Sequence, residues 1–180
     1  MSSQNPVNLQ SITGLFEDAV QNNEVSQDAA DVMIGSLNDT NILGCTGVDV
    51  NDIDTDIVTL ISLVIDSSYS MKHNEQAVRE SYDDLLIKAM RDSKQADSML
   101  ISARTFDEKE TVLYEFKKVN DIGKIGSQYT ADGGATILYE ATINAITAIR
   151  AYAKKLNDSG VQTKCIVVVF SDGGNNYGKY

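Results

Sequence analysis

Five side chains with oxygen donors follow apolar or glycine-rich stretches at three separate points of the sequence. Asp66, Ser68 and Ser70 stand at alternate positions after an apolar run, Thr136 follows Gly-Gly-Ala, and Asp172 comes after a second apolar run. Oxygen-only donor sets suit Mg²⁺, Mn²⁺ or Ca²⁺ and disfavour zinc. With two carboxylates and three neutral hydroxyls, a bound ion would stay electrophilic. The spacing therefore predicts a divalent-cation site that takes a further oxygen from outside.

Two apolar segments are predicted to be the strands that carry these residues to one edge of a sheet. Residues 57–65 read IVTLISLVI, and residues 164–170 read KCIVVVF. Both are rich in β-branched residues, and their continuous apolar character is typical of parallel strands buried on both faces. Cys165 is accordingly predicted to be a small core residue. Open α/β sheets bind ligands at the carboxyl ends of such strands.

The rest of the chain alternates between helical and extended patterns. Helices are predicted over residues 8–21, 26–37, 74–93 and 136–157, with loop over residues 38–56. Ser26 is a candidate N-cap of the second helix. The buried stripe of the third helix is predicted to consist of Val78, Tyr82, Leu85 and Ala89. Further strands are predicted over residues 97–106 and 111–119, and their short DEKE link predicts an antiparallel pair.

Taken together, these parts resemble a von Willebrand factor A domain with its metal-ion-dependent adhesion site. That family carries Asp-x-Ser-x-Ser after its first strand, a Thr after glycine, and Asp-Gly after its fourth strand. The corresponding residues here are Asp66, Ser68 and Ser70, then Thr136, then Asp172. Asp-x-Ser-x-Ser alone is a weak signal. Three parts in this order, each at a strand end or a helix start, make the resemblance specific.

The resemblance implies both a fold and a role for each of these residues. The fold would be α/β, a Rossmann-like three-layer sandwich whose mainly parallel sheet has the order 3-2-1-4, with one antiparallel edge strand. Ser68 and Ser70 would bind the ion directly, and Thr136 and Asp172 directly or through water. Asp66 would act mostly through water and by hydrogen-bonding the serines. An Asp or Glu of a protein partner would complete the octahedron.

Two features depart from the family pattern. Tyr69 stands between the two serines, where the family often has a small residue, and it is expected at the rim of the site. The chain ends soon after the fourth strand, whereas a complete domain of this family has further strands, so the domain is predicted to be truncated there. The fourth strand would then be a bare apolar edge. Cover is expected from the N-terminal helices, or from a second copy or a partner chain along residues 164–170.

The acidic charge of the chain is concentrated in its first part. The net charge is −11, and residues 1–71 contain 11 Asp or Glu and no Lys or Arg. Residues 1–56 are interpreted as an acidic, partly helical segment before the von Willebrand-like domain of residues 57–180. The negative net charge disfavours nucleic acid or an anionic membrane as partner, because both bind basic protein surfaces. The polar start, the two cysteines and the lack of a long apolar stretch indicate a cytoplasmic protein.

Three functions stay open at this level. The first is a binding module that holds Mg²⁺ (or Mn²⁺, Ca²⁺) and grips an acidic residue of a protein partner. The resemblance implies a role as adaptor or scaffold for an ATPase complex, as in bacterial intracellular relatives. The second is a Mg²⁺-dependent hydrolase or phosphoryl-transfer domain. The sequence has no Walker loop, and its histidine, His73, has no evident catalytic partner, so the protein is predicted not to be an enzyme. The third is a structural module with an empty metal site.

Overall fold

Four strands form one open sheet in the computed structural model of the chain, which describes residues 9–36 and 43–175. The strands are β1 (Ile57–Asp66), β2 (Met99–Phe106), β3 (Glu110–Lys118) and β4 (Gln162–Phe170). Their order across the sheet is β3-β2-β1-β4. β1 is parallel to both β2 and β4, and β3 is antiparallel to β2. The predicted α/β, Rossmann-like fold and its strand order are confirmed.

Helices cover both faces of the sheet. Successive side chains of a strand point to opposite faces, so β1 contributes to two separate cores. Leu63 packs in a cluster with Tyr82, from the helical run after β1. Leu60 packs on the other face with Tyr152 of α5 (Leu138–Asp158). None of the helices in the described part of the chain is long and apolar enough to cross a membrane.

The helical run after β1 contains a π-helical segment that shifts its buried stripe. The run consists of α3 (Glu75–Glu80), the π-helical segment (Ser81–Ile87) and α4 (Lys88–Arg91). Val78 and Tyr82 are buried as predicted, but Leu85 is 68% exposed and Ala89 is also exposed, so that part of the prediction is wrong. A π-turn closes i→i+5 hydrogen bonds instead of i→i+4. Ile87, five residues after Tyr82, is therefore the next buried position.

Two short helices precede the sheet and dock on its α5 side. They are α1 (Leu9–Gln21) and α2 (Gln27–Ser36). Phe16 of α1 and Ala30 of α2 are buried against each other. Ser26 caps α2, as predicted, by accepting a hydrogen bond through its hydroxyl. Glu24 forms a 2.9 Å ion pair with Arg150 of α5, which fastens the pair of helices to the domain. The predicted helix end at position 37 lies outside the described residues.

Residues 43–56 form an irregular segment that is fastened to β3. Gly47 forms a single parallel bridge with Phe116, and the Val48 amide donates to the Phe116 carbonyl at 3.0 Å. A Cβ at Gly47 would lie 2.5 Å from the Cβ of Phe116, so this close approach requires glycine. The Tyr152 hydroxyl donates to the Val48 carbonyl at 2.7 Å. The segment is mostly loop, as predicted, and it is held between β3 and α5.

β4 is an outer strand of the sheet, and the prediction that it is buried on both faces is wrong. Ile166 is 46% exposed and Val169 39% exposed. Cys165, predicted to be a core residue, is exposed as well. The N-terminal helices reach only parts of this strand, since Leu15 lines a cavity with Cys165, and Met33 lines another with Val169. Within the described residues, β4 is paired on one side only.

We expect this chain to associate through the open edge of β4, because an unpaired apolar strand edge is a template for another strand. Light scattering of the purified chain should give a mass above the 19.6 kDa of one copy. Ile166→Lys should move the mass toward one copy, since a charge on an edge strand opposes pairing. Leu85→Lys, at an exposed position away from β4, is the matched control and should leave the mass unchanged. A monomeric wild-type chain would contradict the prediction.

Candidate metal centre

The loop after β1 brings two serine hydroxyls together at the carboxyl end of the sheet. Asp66 is the last residue of β1, and its Oδ1 accepts a hydrogen bond from the Ser68 amide at 2.9 Å. Such a bond from a backbone amide two residues on turns the chain out of the strand. A 3₁₀ helix begins at Tyr69. The Oγ atoms of Ser68 and Ser70 then lie 3.0 Å apart.

A second loop, before α5, is bound to the first by backbone hydrogen bonds. Ser68 and Gly133 form a parallel bridge. The Gly133 amide donates to the Ser67 carbonyl at 3.0 Å, and the Tyr69 amide donates to the Gly133 carbonyl at 2.7 Å. Thr136 follows three residues later and is only 2% exposed. The predicted threonine is thus buried, and it is close in sequence to Gly133, which contacts the serine loop (residues 67–70).

The loop after β4 also contacts the side chain of Asp66. β1 and β4 run in parallel register up to the pair of Ile65 and Phe170, which places the next residue of each strand side by side. Ser171 accordingly donates its hydroxyl to Oδ2 of Asp66 at 2.7 Å. Asp172 comes next and is exposed. Direct contacts therefore join the first and third loops through Ser171, which is not among the five donors predicted from the sequence.

Asp66 is a fully buried carboxylate without a basic partner in the described part of the chain. Its exposure is 0%, and it takes part in none of the ion pairs found there. An unpaired buried charge is costly, so buried charges in proteins are paired or bind metal ions. Hydrogen bonds from Ser68 and Ser171 offset part of this cost. A bound cation would supply the missing positive charge, so the site fits a metal.

The spacing of the two serine oxygens also fits an octahedral cation. Ligands at about 2.1 Å from Mg²⁺ place neighbouring oxygens about 3.0 Å apart. The Ser68 and Ser70 oxygens have this separation, at which they also hydrogen-bond to each other. Across residues 9–36 and 43–175, no three His, Cys, Asp or Glu side chains gather as a metal-ligand group. A hydroxyl-rich set with two carboxylates does not require such a group, and its hardness favours Mg²⁺, Mn²⁺ or Ca²⁺.

Tyrosines take two different positions at this site. Tyr69 is 68% exposed, so it can contact a bound molecule. Tyr129 is buried, and its hydroxyl donates to the Asp66 carbonyl at 2.8 Å. Burial, and then the nearby Asp66 carboxylate, raise the pKa of Tyr129 to about 12, so its phenol stays protonated at neutral pH. His73 is exposed.

A network of charged side chains fastens the loop before α5 to the start of α3. Glu75 accepts a hydrogen bond from the Ala131 amide at 3.0 Å and ion-pairs with Lys72 at 2.9 Å and Arg79 at 2.7 Å. Lys72 reaches Asp132 at 2.7 Å as well. Sequence reasoning did not single out these residues, because charges on a polar turn look like ordinary surface. The network holds the loop against the serine loop.

The comparisons with known proteins leave the family open. No family model matches this chain, and no curated protein matches it. The resemblance to a von Willebrand factor A domain therefore depends on the five oxygen-bearing residues and on their order and placement along the chain. It enters the functional assignment as a proposal.

Gly133→Ala is expected to destabilise the chain and weaken Mn²⁺ binding. A Cβ at this position would clash with the Cβ of Asp107 and lie 2.7 Å from its Cγ, so the loop must move away from Asp107, which strains its hydrogen bonds with the loop after β1. Such overpacking costs about 1–3 kcal/mol of unfolding free energy. Urea unfolding and Mn²⁺ calorimetry measure both effects. Gly123→Ala is the matched control, since nothing lies within 4 Å of its Cβ, and equal behaviour of the two variants would contradict the prediction.

Acidification is expected to loosen the loop before α5 through Glu75. The hydrogen bond from the Ala131 amide, followed by that from Lys72, lowers the pKa of Glu75 below its ordinary 4.5. Because the folded-state pKa is lowered, the stabilisation by this carboxylate is full above the ordinary pKa. It is lost as the pH falls through the lowered value. Unfolding free energies of wild type and Glu75→Gln should therefore differ at neutral pH and converge in acid. A difference that is independent of pH would refute this role of Glu75.

Proposed function

We propose that this protein is a metal-dependent protein-binding module of the von Willebrand factor A type. Its metal centre comprises Asp66, Ser68, Ser70, Thr136 and Asp172, and it grips an acidic side chain of a protein partner. The observation that carries the proposal is the buried Asp66 carboxylate, which has no basic partner in the described residues and lies beside paired serine hydroxyls. When bound, Mg²⁺, Mn²⁺ or Ca²⁺ supplies a hard electrophile that prefers carboxylate oxygen.

The residues of this centre have different roles in binding the metal ion and the partner. Ser68 and Ser70 offer neutral oxygens, which leave most of the positive charge of an ion available to an outside carboxylate. Asp66 is held by hydrogen bonds on both of its oxygens and therefore orients its surroundings. Asp172 is exposed, on the side from which a partner can approach. Tyr69, also exposed, supplies an aromatic surface of the kind that protein interfaces favour.

The same proposal includes the complex in which this module acts, its cellular location and the class of its partner. A role as adaptor or scaffold for an ATPase complex is supported by the resemblance alone. A cytoplasmic location is supported by the two cysteines, which are both free thiols. The net charge of −11 supports a protein partner over nucleic acid, because nucleic-acid binding is driven by basic surface.

Selection of displayed peptides on the immobilised chain tests this function directly. In the presence of Mg²⁺, the selected peptides are expected to share an Asp or a Glu. Their binding should disappear with EDTA, with Asp→Asn or Glu→Gln in the peptide, and with Asp66→Asn in the chain. Asp107→Asn, directly after β2, is the control and should retain binding. Peptides that need neither the metal nor an acidic residue would overturn the proposal.

A metal-dependent hydrolase or phosphoryl-transfer domain is the second candidate, supported by the Mg²⁺-type donor set. The only histidine, His73, is exposed, and Tyr129 stays protonated at neutral pH, so neither is a suitable base. We therefore expect no turnover of p-nitrophenyl phosphate or ATP with Mg²⁺ or Mn²⁺. Turnover that is lost in Asp172→Asn would favour the enzyme. A folded chain that binds no Mn²⁺ would favour a purely structural module.

A further inference from the structure

Asp66 receives one hydrogen bond on each carboxylate oxygen, from two different loops. The Ser68 amide donates to Oδ1 at 2.9 Å, from the loop after β1. The Ser171 hydroxyl donates to Oδ2 at 2.7 Å, from the loop after β4. A carboxylate has about four acceptor positions, so each oxygen keeps capacity for water or for an ion. Both donors together fix the plane of a side chain that is fully buried.

We propose that Ser171 is a positioning residue of the metal centre. Its hydroxyl sets the orientation of Asp66 and couples it to the loop that carries Asp172. The inference rests on the proposed metal-binding function. It follows from the strand register, because the parallel pairing of β1 and β4 ends one residue before both Asp66 and Ser171. Any shift of the loop after β4 would therefore change the orientation of the Asp66 carboxylate.

The proton of Ser171 is committed to Asp66 by a second contact. Ser171 Oγ accepts a hydrogen bond from the Gly173 amide at 3.0 Å. A hydroxyl has one proton to donate and lone pairs to accept with, so this contact orients the donor toward the carboxylate. Gly173 has φ of 92°, a left-handed conformation that favours glycine. One hydroxyl therefore fixes both the aspartate and the turn of the loop after β4.

Removal of this hydroxyl should weaken metal binding more than it weakens the fold. Residues that orient metal-binding side chains typically change metal affinity by about 10- to 100-fold. Ser171→Ala is accordingly expected to raise the Mn²⁺ dissociation constant by about 10-fold or more, as measured by calorimetry on folded protein. Ser171→Thr keeps the hydroxyl and should restore affinity. Ser171→Cys, a weak donor of similar size, should fall between the two and replaces the alanine variant if that one does not fold.

Ser67→Ala provides the matched control. The Ser67 hydroxyl lies in the same region but donates to the Phe106 carbonyl at 2.9 Å rather than to Asp66. Its loss should lower the unfolding free energy while Mn²⁺ affinity stays within about twofold of wild type. Wild-type affinity in Ser171→Ala or Ser171→Cys would overturn the inference and leave the metal-binding proposal intact. A wild-type chain that binds no Mn²⁺ would overturn both.

Discussion

Asp66→Asn is expected to weaken Mn²⁺ binding by about 100-fold or more while the fold stays intact. Asp66 is fully buried and has no basic partner in the described residues, so its charge is the main local reason for a cation to bind. The amide has the same shape as the carboxylate, but it removes the charge and half of the acceptor capacity. We expect calorimetry to show a loss of affinity of about 100-fold or more, the upper end of what orienting residues contribute.

The stability of the same variant without metal gives an independent check. Removal of an uncompensated buried charge is favourable, whereas the amide nitrogen cannot accept the hydrogen bond that one carboxylate oxygen receives. Because these two effects oppose each other, Asp66→Asn should have about the stability of the wild type in EDTA. Asp107→Asn, directly after the neighbouring strand β2, is the matched control and should keep Mn²⁺ affinity. Equal Mn²⁺ affinity in wild type and Asp66→Asn would rule out the assigned centre. A loss of stability of more than about 3 kcal/mol in EDTA, above the usual cost of one unmade buried hydrogen bond, would show that the charge is compensated within the protein.

Glu110→Ala is expected to destabilise the chain by about 3–5 kcal/mol, the usual cost of removing one partner of a buried ion pair. Glu110, at the start of β3, lies 2.8 Å from Arg104 of β2, and the two side chains are 10% and 2% exposed. Glu110 also accepts a hydrogen bond from Asn144 of α5. Without the carboxylate, the Arg104 charge stays buried and unpaired. Urea unfolding in EDTA measures the loss apart from any metal effect.

A double variant distinguishes the net contribution of the Arg104–Glu110 pair to stability from the stability lost when only one partner is removed. Arg104→Met with Glu110→Leu should recover most of the lost stability, since apolar residues often replace a buried ion pair without penalty. The exposed pair of Lys154 and Asp158 is the control, with side chains 50% and 62% exposed. Breaking it by Asp158→Ala should change stability by less than about 0.5 kcal/mol. A cost below about 1 kcal/mol for Glu110→Ala would mean that water reaches the buried pair.

The strands and their directions follow from patterns that the sequence carries locally. The run over residues 57–65 is apolar throughout, and it forms the central strand β1 between two neighbours. The predicted four-residue link, which is three residues long in the structure because β3 begins at Glu110, leaves no room for a crossover, so β3 is antiparallel to β2. The polar residues that follow β1 and β4 lie at one edge because parallel strands end on the same side. The strand order 3-2-1-4, by contrast, was implied by the resemblance to the von Willebrand factor A domain, because short-range patterns do not say which strands are neighbours.

The burial of particular side chains was decided by the tertiary structure. Leu85 fits the helical stripe in sequence, yet a π-turn, closed by hydrogen bonds rather than by pattern, rotates it into solvent. Val169 has the apolar character of a core strand, yet it is exposed because β4 has a strand on one side only among the described residues. Periodicity reports which residues could be buried. Neighbouring elements determine which of them are.

The donors around the candidate metal centre were likewise decided by contacts between distant loops. Asp66, Ser68 and Ser70 could be selected from their spacing, because one loop carries all three. Ser171 could not, since its contact with Asp66 joins residues 105 positions apart and depends on the register of β1 against β4. A sequence shows which side chains can bind a cation. Strand register decides which of their neighbours hold them in place, because it alone sets the distance between two chain segments.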